Sequence, residues 1–179
     1  NKLTVRHITP PYVMMSSDYS QQEPKMLAYK SGDPKMIDAF QHNRDIYATT
    51  CHEMAHGTHY ARVNVSYWNT YLKYRVKALT SGKSYGDGKS AGSGHCEVAE
   101  MWAYYMESLM YKNRYGGDFP SFGNGYWCKP DILRYLHKNG FACYELSSVI
   151  TNDVDSKDDL ERELINKYPL RKTRIVQAF

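Results

Sequence analysis

The sequence predicts a mainly α-helical domain that carries a small sheet at its N-terminus. Apolar residues recur at helical spacing in several windows, most strongly in residues 96–113. Glycine- and proline-containing segments separate these windows. A chain of 179 residues with 42% hydrophobic and 23% charged residues has an ordinary globular composition. Its length suits one sizeable core, so we expect a single domain over residues 1–179.

The first part of the chain contains the one segment that alternates in the manner of a strand. Apolar and polar residues alternate over residues 1–8, and Pro10-Pro11 ends the segment. The stretch from Tyr12 to Gly32 has no clear period, and we interpret it as irregular. The turn Ser31-Gly32-Asp33-Pro34 then indicates where the helical part of the chain begins.

Helices account for most of the remaining chain, and turn-forming residues mark their boundaries. The polar, glycine-rich residues 81–94 are predicted to be a loop, either a lid beside a site or an insertion without a role. Asn139-Gly140 is typical of a left-handed helix end, and Pro169 follows the last helix. The predicted helices lie near residues 35–43, 45–62, 67–80, 96–113, 131–138 and 153–168.

The charge pattern gives little indication of a nucleic-acid partner, and we expect none. The net charge is +4, and basic residues are scattered apart from Arg171-Lys172-Thr173-Arg174, which we interpret as a solvated face. No apolar run approaches the roughly 20 residues of a membrane-spanning helix, so we expect no transmembrane segment. The chain begins Asn1-Lys2-Leu3 without an initiating Met, which indicates a piece of a longer precursor.

The segment Cys51-His52-Glu53-Met54-Ala55-His56 contains the pattern His-Glu-x-x-His, the strongest indication of chemistry in the chain. Two histidines four residues apart in a helix lie on one face, so both imidazoles can bind one metal ion. Glu53 lies on the flank of that face, where it can accept a proton from a metal-bound water. The pattern is short enough to arise by coincidence, but its helical surroundings favour a zinc site.

Glu100 is the predicted third ligand of this zinc ion. It lies in a helical stretch between Ala99 and Met101-Trp102, at the border of a strongly apolar face. A carboxylate in such a position is costly to bury unless it is paired or binds a metal. Glu107 shares the same helix face, with a solvated position as its alternative.

His59 competes with Glu100 as the third ligand. Three ligands along one straight helix do not readily surround a tetrahedral ion, so we interpret His59 as a residue that binds substrate or orients a ligand. Cys51 or Cys96 could instead complete a set of four protein ligands, which is typical of a structural zinc site. The chain has four cysteines, an even number that permits disulfides without requiring them.

The motif His52-Glu53-x-x-His56, followed by Ala99-Glu100-Met101-Trp102-Ala103-x-Tyr105-x-Glu107, resembles the gluzincin clan of zinc metallopeptidases. It is similar in particular to secreted or surface zinc peptidases of Bacteroidetes-type bacteria. The resemblance implies an α+β zincin-like fold, a helical metallopeptidase domain whose small N-terminal edge sheet is incomplete in a trimmed piece. It also implies one catalytic Zn²⁺ bound by His52, His56 and Glu100, with Glu53 as the general base.

By this resemblance the protein is a hydrolase that cleaves peptide bonds in a polypeptide or protein substrate. The resemblance also implies an extracytoplasmic location in a bacterium, whether secreted, periplasmic or on the cell surface. The chain departs from the clan at Tyr104, which stands where many members place an Asp that orients a ligand histidine. Asp45 or Glu107 would then supply that carboxylate.

Two other functions stay open at this point. The first is a peptidase-like module that keeps zinc, lacks turnover and binds peptides or proteins, and the departure at Tyr104 motivates it. The second is a structural helical domain in which the motif is incidental or holds a structural metal ion.

Overall fold

The computed structural model of the protein describes residues 2–9, 12–18, 22–32, 34–42 and 45–179. Helices dominate these residues, which confirms the prediction of a mainly α-helical chain. The backbone forms two compact units, residues 1–46 and 47–179. The expectation of a single domain over residues 1–179 stays a prediction. Among the described helices, none has the length and apolar character needed to cross a membrane.

The first unit contains a β-hairpin and two helices. Strand β1 (Lys2–Thr9) coincides with the alternating segment and pairs antiparallel with β2 (Tyr12–Asp18). Helices α1 (Gln22–Ser31) and α2 (Pro34–Gln41) follow. The interpretation of residues 12–32 as irregular is therefore wrong. A hairpin partner supplies the hydrogen bonds of β2 from outside its own sequence window, and a proline is tolerated in the first turn of a helix such as α1.

The second unit is helical, and side-chain caps define the start of two of its helices. Asn64 accepts a hydrogen bond from the backbone N–H of Tyr67, and Ser156 accepts one from Asp159, which satisfies N–H groups that a first turn leaves unpaired. The helices are α3 (Ile46–Tyr60), α4 (Val65–Thr80), α5 (Ser93–Tyr115), α6 (Asp131–Lys138), α7 (Cys143–Ser147), α8 (Lys157–Lys167) and α9 (Lys172–Ala178), with a 3-10 turn at Pro169–Arg171.

The helix α5 is the central element of the second unit, because it contributes to two apolar clusters. One cluster joins a face of α5 to apolar residues of α6, α7, α8 and α9. The other joins Cys96 and Ala99 of α5 to an aromatic stripe on α4. The predicted core face of α5 is confirmed: its buried residues include Val98, Met101, Trp102 and Tyr105. Each fully buried side chain of this size contributes about 1.5–3 kcal/mol to stability.

The glycine-rich segment between α4 and α5 is a loop, as predicted, and hydrogen bonds hold its conformation. The carboxylate of Asp87 accepts hydrogen bonds from the backbone N–H groups of Lys89 and Ser90, each at 3.0 Å. The hydroxyl of Tyr74 on α4 donates to the carbonyl of Tyr85 at 3.0 Å. These contacts attach the loop to α4 and lead the chain into the start of α5.

Candidate functional site

The helix α3 presents two histidines on one face. His52 and His56 are four residues apart, and their ring centroids lie 5.0 Å from each other in an edge-to-face arrangement. Their side chains are 11% and 14% exposed. The helix is held against α5 by the buried Ala55 and by a hydrogen bond from Trp102 Nε1 to Thr58 Oγ1 at 3.3 Å. The predicted helical context of the motif is therefore confirmed.

The helix α5 brings Glu100 to these two histidines. Its Oε2 lies 3.4 Å from Nε2 of His52 and 3.7 Å from Nε2 of His56. One candidate ligand atom from each of the three residues can be chosen so that all lie within 4.8 Å of one another. The structure thus brings together His52, His56 and Glu100, the three residues that the sequence predicted as metal ligands.

The second carboxylate oxygen of Glu100 is held from α4. The hydroxyl of Tyr71 donates a hydrogen bond to Oε1 at 2.8 Å, and Nε of Arg75 lies 3.6 Å from the same atom. Oε2 is buried and has no hydrogen-bond donor among the described residues. The carboxylate is therefore fixed through one oxygen, and its other oxygen is directed at the two imidazoles.

Glu107 contacts the far side of the His52 ring. Nδ1 of His52 donates a hydrogen bond to Oε2 of Glu107 at 3.0 Å. With the Nδ1 proton in this hydrogen bond, Nε2 of a neutral His52 presents a lone pair towards Glu100. A lone pair and a carboxylate oxygen repel each other unless a cation, either a proton or a metal ion, lies between them.

Burial and neighbouring charges shift the pKa values of His52 and Glu100 in opposite directions. Burial by itself lowers the pKa of His52, but its interactions with Glu100 and Glu107 outweigh burial and raise that pKa to about 9. Burial by itself raises the pKa of Glu100, but His52 and His56 hold it well below its ordinary value. The cluster therefore favours a carboxylate anion with positive charge beside it.

Aromatic rings surround the cluster and limit its contact with solvent. The ring of Tyr104 lies 4.5 Å from that of His52, centroid to centroid. Trp68 and Tyr71 lie 5.8 Å and 5.9 Å from His56. Tyr104 also shares a hydrogen bond of 2.6 Å with the hydroxyl of Tyr85. Tyr104 thus packs against the imidazole of His52, and Glu107 supplies the carboxylate that contacts this imidazole.

Three other residues predicted for the site, Glu53, His59 and Asp45, are not members of this ligand group. Glu53 is exposed on α3, and its role as a base stays a prediction. His59 is buried between Tyr67 and Trp68, with ring centroids 5.1 Å and 5.6 Å away, and it is not a member of the ligand group. Asp45 precedes α3 in the first compact unit, and its role also stays a prediction.

The cysteines do not complete a four-ligand set. Among the described residues, neither Cys51 nor Cys96 belongs to the ligand group. Cys96 is buried beside Cys128, and a hydrogen bond between the two thiols raises the pKa of Cys128. Among the described residues, no disulfide joins any of the four cysteines. This arrangement differs from the set of four protein ligands that characterises structural zinc sites.

Sequence reasoning missed Tyr71 and Arg75, although they hold the carboxylate of Glu100. The two residues lie one turn apart on α4. The sequence does indicate that one face of α4 is buried, because aromatic residues recur there at helical spacing. These residues are Tyr67, Trp68, Tyr71 and Tyr74. That pattern predicts burial, but it does not indicate which buried hydroxyl meets a carboxylate on another helix.

Comparison with known proteins gives a different indication of function. The family model described as DNA polymerase family A matches residues 4–117, which is more than half of the chain. A protein called DNA polymerase I from Lactococcus lactis subsp. lactis (strain IL1403) is 53% identical over 38 residues, which cover 21% of this chain and 4% of that protein. DNA polymerase I from Lactococcus lactis subsp. cremoris (strain MG1363) is 50% identical over 38 residues, with the same coverage. No solved structure matches.

These matches contradict the gluzincin resemblance, which is wrong. The expectations that depended on it are wrong as well: a metallopeptidase and protease activity, a polypeptide substrate and the alternative of a peptidase-like module. The expectation of no nucleic-acid partner is contradicted by the same family. The physical reason is that a set of ligands does not determine a reaction, because the same helical pattern occurs on unrelated proteins.

Proposed function

Because this chain belongs to DNA polymerase family A, we propose that it takes part in DNA synthesis, within a nucleotidyltransferase that joins deoxynucleotides to a DNA strand. The observation that carries this proposal is the family match over residues 4–117, which extends from the first compact unit into the second. The two matched relatives, each called DNA polymerase I, support the same class of reaction.

The proposed partner is DNA. The matched segment covers only 4% of each relative, so polymerase activity is a property that we propose for this chain. The net charge of +4 is small, but its positive sign favours binding to the phosphate backbone of DNA. The basic tail does not support this partner, because Arg171 is paired with Glu145 at 3.1 Å.

Two finer predictions from the sequence are a zincin-like fold and an extracytoplasmic location. A zincin-like arrangement is proposed for the backbone of α3 and α5 alone, because these helices place His52, His56 and Glu100 side by side. It implies no peptide hydrolysis. The extracytoplasmic location depended on the peptidase resemblance, so the proposed polymerase function does not carry it forward.

The test is binding of this chain to a fluorescein-labelled primer–template junction, measured by fluorescence anisotropy from about 50 to 200 mM salt. We expect binding that weakens as salt rises, because each neutralised phosphate releases a counterion. A blunt duplex of the same length and label is the matched control, and a polymerase segment should prefer the junction. Primer extension with the four deoxynucleoside triphosphates and Mg²⁺ then tests the reaction. No binding at about 50 mM salt, where phosphate contacts are strongest, would contradict the proposal.

A further inference from the structure

We propose that His52, His56 and Glu100 bind one zinc ion, through Nε2 of each histidine and Oε2 of the glutamate, with a fourth position open to an exchangeable ligand. In this proposal Glu107 is a positioning residue that acts through His52. The site goes beyond the proposed DNA synthesis and does not depend on it, since the contacts that carry it lie within residues 47–179.

The spacing of the ligand atoms fits a tetrahedral zinc ion. Zinc binds imidazole nitrogen and carboxylate oxygen at about 2.0–2.2 Å, so two ligand atoms of a tetrahedral site lie about 3.3–3.6 Å apart. Oε2 of Glu100 lies 3.4 Å from Nε2 of His52 and 3.7 Å from Nε2 of His56. Both distances from Glu100 to the histidines therefore match a tetrahedral zinc site to within a few tenths of an ångström. The three ligand atoms all lie within 4.8 Å of one another, so the remaining adjustment is a side-chain movement.

The polar atoms at the centre of the cluster lack ordinary partners. Oε2 of Glu100 is buried without a hydrogen-bond donor among the described residues, and the residue as a whole is only 1% exposed. A buried carboxylate oxygen without a partner destabilises a protein. With Nδ1 of His52 donating to Glu107, a zinc ion at Nε2 would satisfy this nitrogen and the carboxylate oxygen together.

The surroundings prepare Glu100 and His52 for a metal ion before it binds. Tyr71 and Arg75 fix Oε1 of Glu100, which leaves Oε2 as the oxygen available for a single metal–oxygen bond. Arg75 is itself held over the ring of Tyr85, at 4.3 Å from the centroid. Glu107 fixes the orientation of His52. Supporting contacts of this kind are typical of metal sites.

The donor set favours zinc over Mg²⁺ and Ca²⁺. Two imidazoles and one carboxylate suit zinc, whereas Mg²⁺ and Ca²⁺ require six or more ligands that are mostly oxygen. Three protein ligands leave the fourth position of a tetrahedral ion to water or another small ligand. The alternative to zinc is a proton on His52, which would make the cluster a buried ion pair.

The first experiment measures zinc content and zinc affinity of the whole chain, purified without a His tag or chelator. Glu100→Gln keeps the shape of the side chain and an acceptor for Tyr71 but removes the anionic ligand. Glu97→Gln is the matched control on the same helix, because Glu97 contacts the backbone N–H of Lys157 and is outside the ligand group. We expect about one zinc per chain in the parent and in Glu97→Gln, since three protein ligands define one site.

In Glu100→Gln we expect zinc affinity to fall by more than about 100-fold, because loss of a supporting partner alone costs about 10–100-fold. The melting temperature of the parent should rise with added zinc, and that of the variant should not. Circular dichroism confirms that the variant is folded, and His56→Asn serves as a second ligand variant if it is not. Equal zinc binding by the parent and the folded ligand variant, or no zinc in the parent after zinc is added, would overturn the proposal.

The second experiment tests the open position. Co²⁺ replaces zinc in tetrahedral sites and gives a visible absorption spectrum that depends on its ligands. We expect azide to change this spectrum, because it can displace a water ligand from a site with three protein ligands. A tetrahedral spectrum that azide leaves unchanged would overturn the claim of an exchangeable fourth ligand.

Discussion

Nδ1 of His52 donates a hydrogen bond to Oε2 of Glu107 at 3.0 Å, although the two residues are 55 positions apart in the sequence. The contact joins α3 to α5 and fixes which ring nitrogen carries the shared proton. Nε2 is consequently directed at Glu100. The carboxylate of Glu107 thus orients the imidazole of His52, and the carboxylate of Glu100 lies on the opposite side of the same ring.

The first prediction concerns Glu107. Replacement by Ala removes the acceptor of the His52 Nδ1–H group, so zinc affinity should fall about 10–100-fold. Glu107→Gln keeps an acceptor oxygen and should lose less than the Ala variant. Competition with a chromophoric zinc chelator measures both affinities. If the parent and the two variants bind zinc equally well, Glu107 does not position His52.

The second prediction concerns the stability of the protein in acid. Burial lowers the pKa of His59 from 6.5 to about 3, and nearby His56, His95 and Arg62 act in the same direction. Between about pH 6.5 and pH 3 the unfolded chain therefore binds a proton that the folded chain does not. The free energy of unfolding should fall as pH decreases through this interval, by at most about 1.4 kcal/mol per pH unit from this residue.

The variant His59→Phe isolates this contribution. Neither ring nitrogen of His59 has a hydrogen-bond partner among the described residues, so Phe removes the titration without removing a hydrogen bond. Urea unfolding at pH 7, 6 and 5 should show a shallower decline for this variant than for the parent. Identical slopes for His59→Phe and the parent would contradict the prediction.

The third prediction concerns two glycines of the loop between α4 and α5. Gly86 has a φ of +71°, and a Cβ there would collide with the hydroxyl of Tyr74. Gly82 has a similar φ of +74°, but a Cβ there meets nothing within 4 Å. Gly82→Ala should therefore cost only the strain of the left-handed conformation, about 1–2 kcal/mol. Gly86→Ala should cost about 2–4 kcal/mol, because the collision adds to that strain.

Thermal and urea unfolding of the two alanine variants provide the comparison. The φ angles are nearly equal, so the difference between the variants measures the contact with Tyr74. If both variants lose the same stability, the loop is not held against α4 in the way that the structure describes.

The fourth prediction concerns Arg134, a cation of α6 that is only 3% exposed. Its guanidinium donates to Oγ of Ser108 at 2.7 Å, to Oδ1 of Asn124 at 2.6 Å and to the carbonyl of Phe122. Arg134→Met keeps much of the volume but leaves these acceptors without a donor. We expect the free energy of unfolding to fall by about 2–4 kcal/mol.

Arg162→Met is the control for this variant. Arg162 is 57% exposed and pairs with Asp159 at 2.6 Å, and exposed pairs contribute about 0–1 kcal/mol. Urea unfolding measures the free energy of unfolding of both variants. Arg134→Met should lose more than Arg162→Met, because Arg134 is buried and has several acceptors. A similar small loss in the two variants would show that the contacts of Arg134 contribute little.

Local patterns predicted the helical part of the chain because they depend on neighbouring residues. The spacing of His52 and His56 predicted their common face, and the burial of a carboxylate among apolar residues predicted Glu100 as their partner. The strand β2 was missed because its hydrogen-bond partner lies in another segment. The contact of Tyr71 with Glu100 was missed for the same reason, since it requires the packing of α4 on α5.

The reaction was the part that the residues could not predict. Two histidines and a glutamate indicate which cation a cluster prefers, because ligand chemistry and spacing are properties of these side chains. They do not indicate a substrate, which depends on the rest of the protein. The family match over residues 4–117 is what supports the proposed role in DNA synthesis.

The position of α5 between two apolar clusters has a consequence for how residues 47–179 unfold. The helix contributes residues to both clusters, so neither cluster remains intact once α5 leaves. We therefore expect these residues to lose their structure in one cooperative transition rather than helix by helix. The imidazoles of α3 and the carboxylates of α5 would separate in that same step, so release of the proposed zinc ion should coincide with global unfolding.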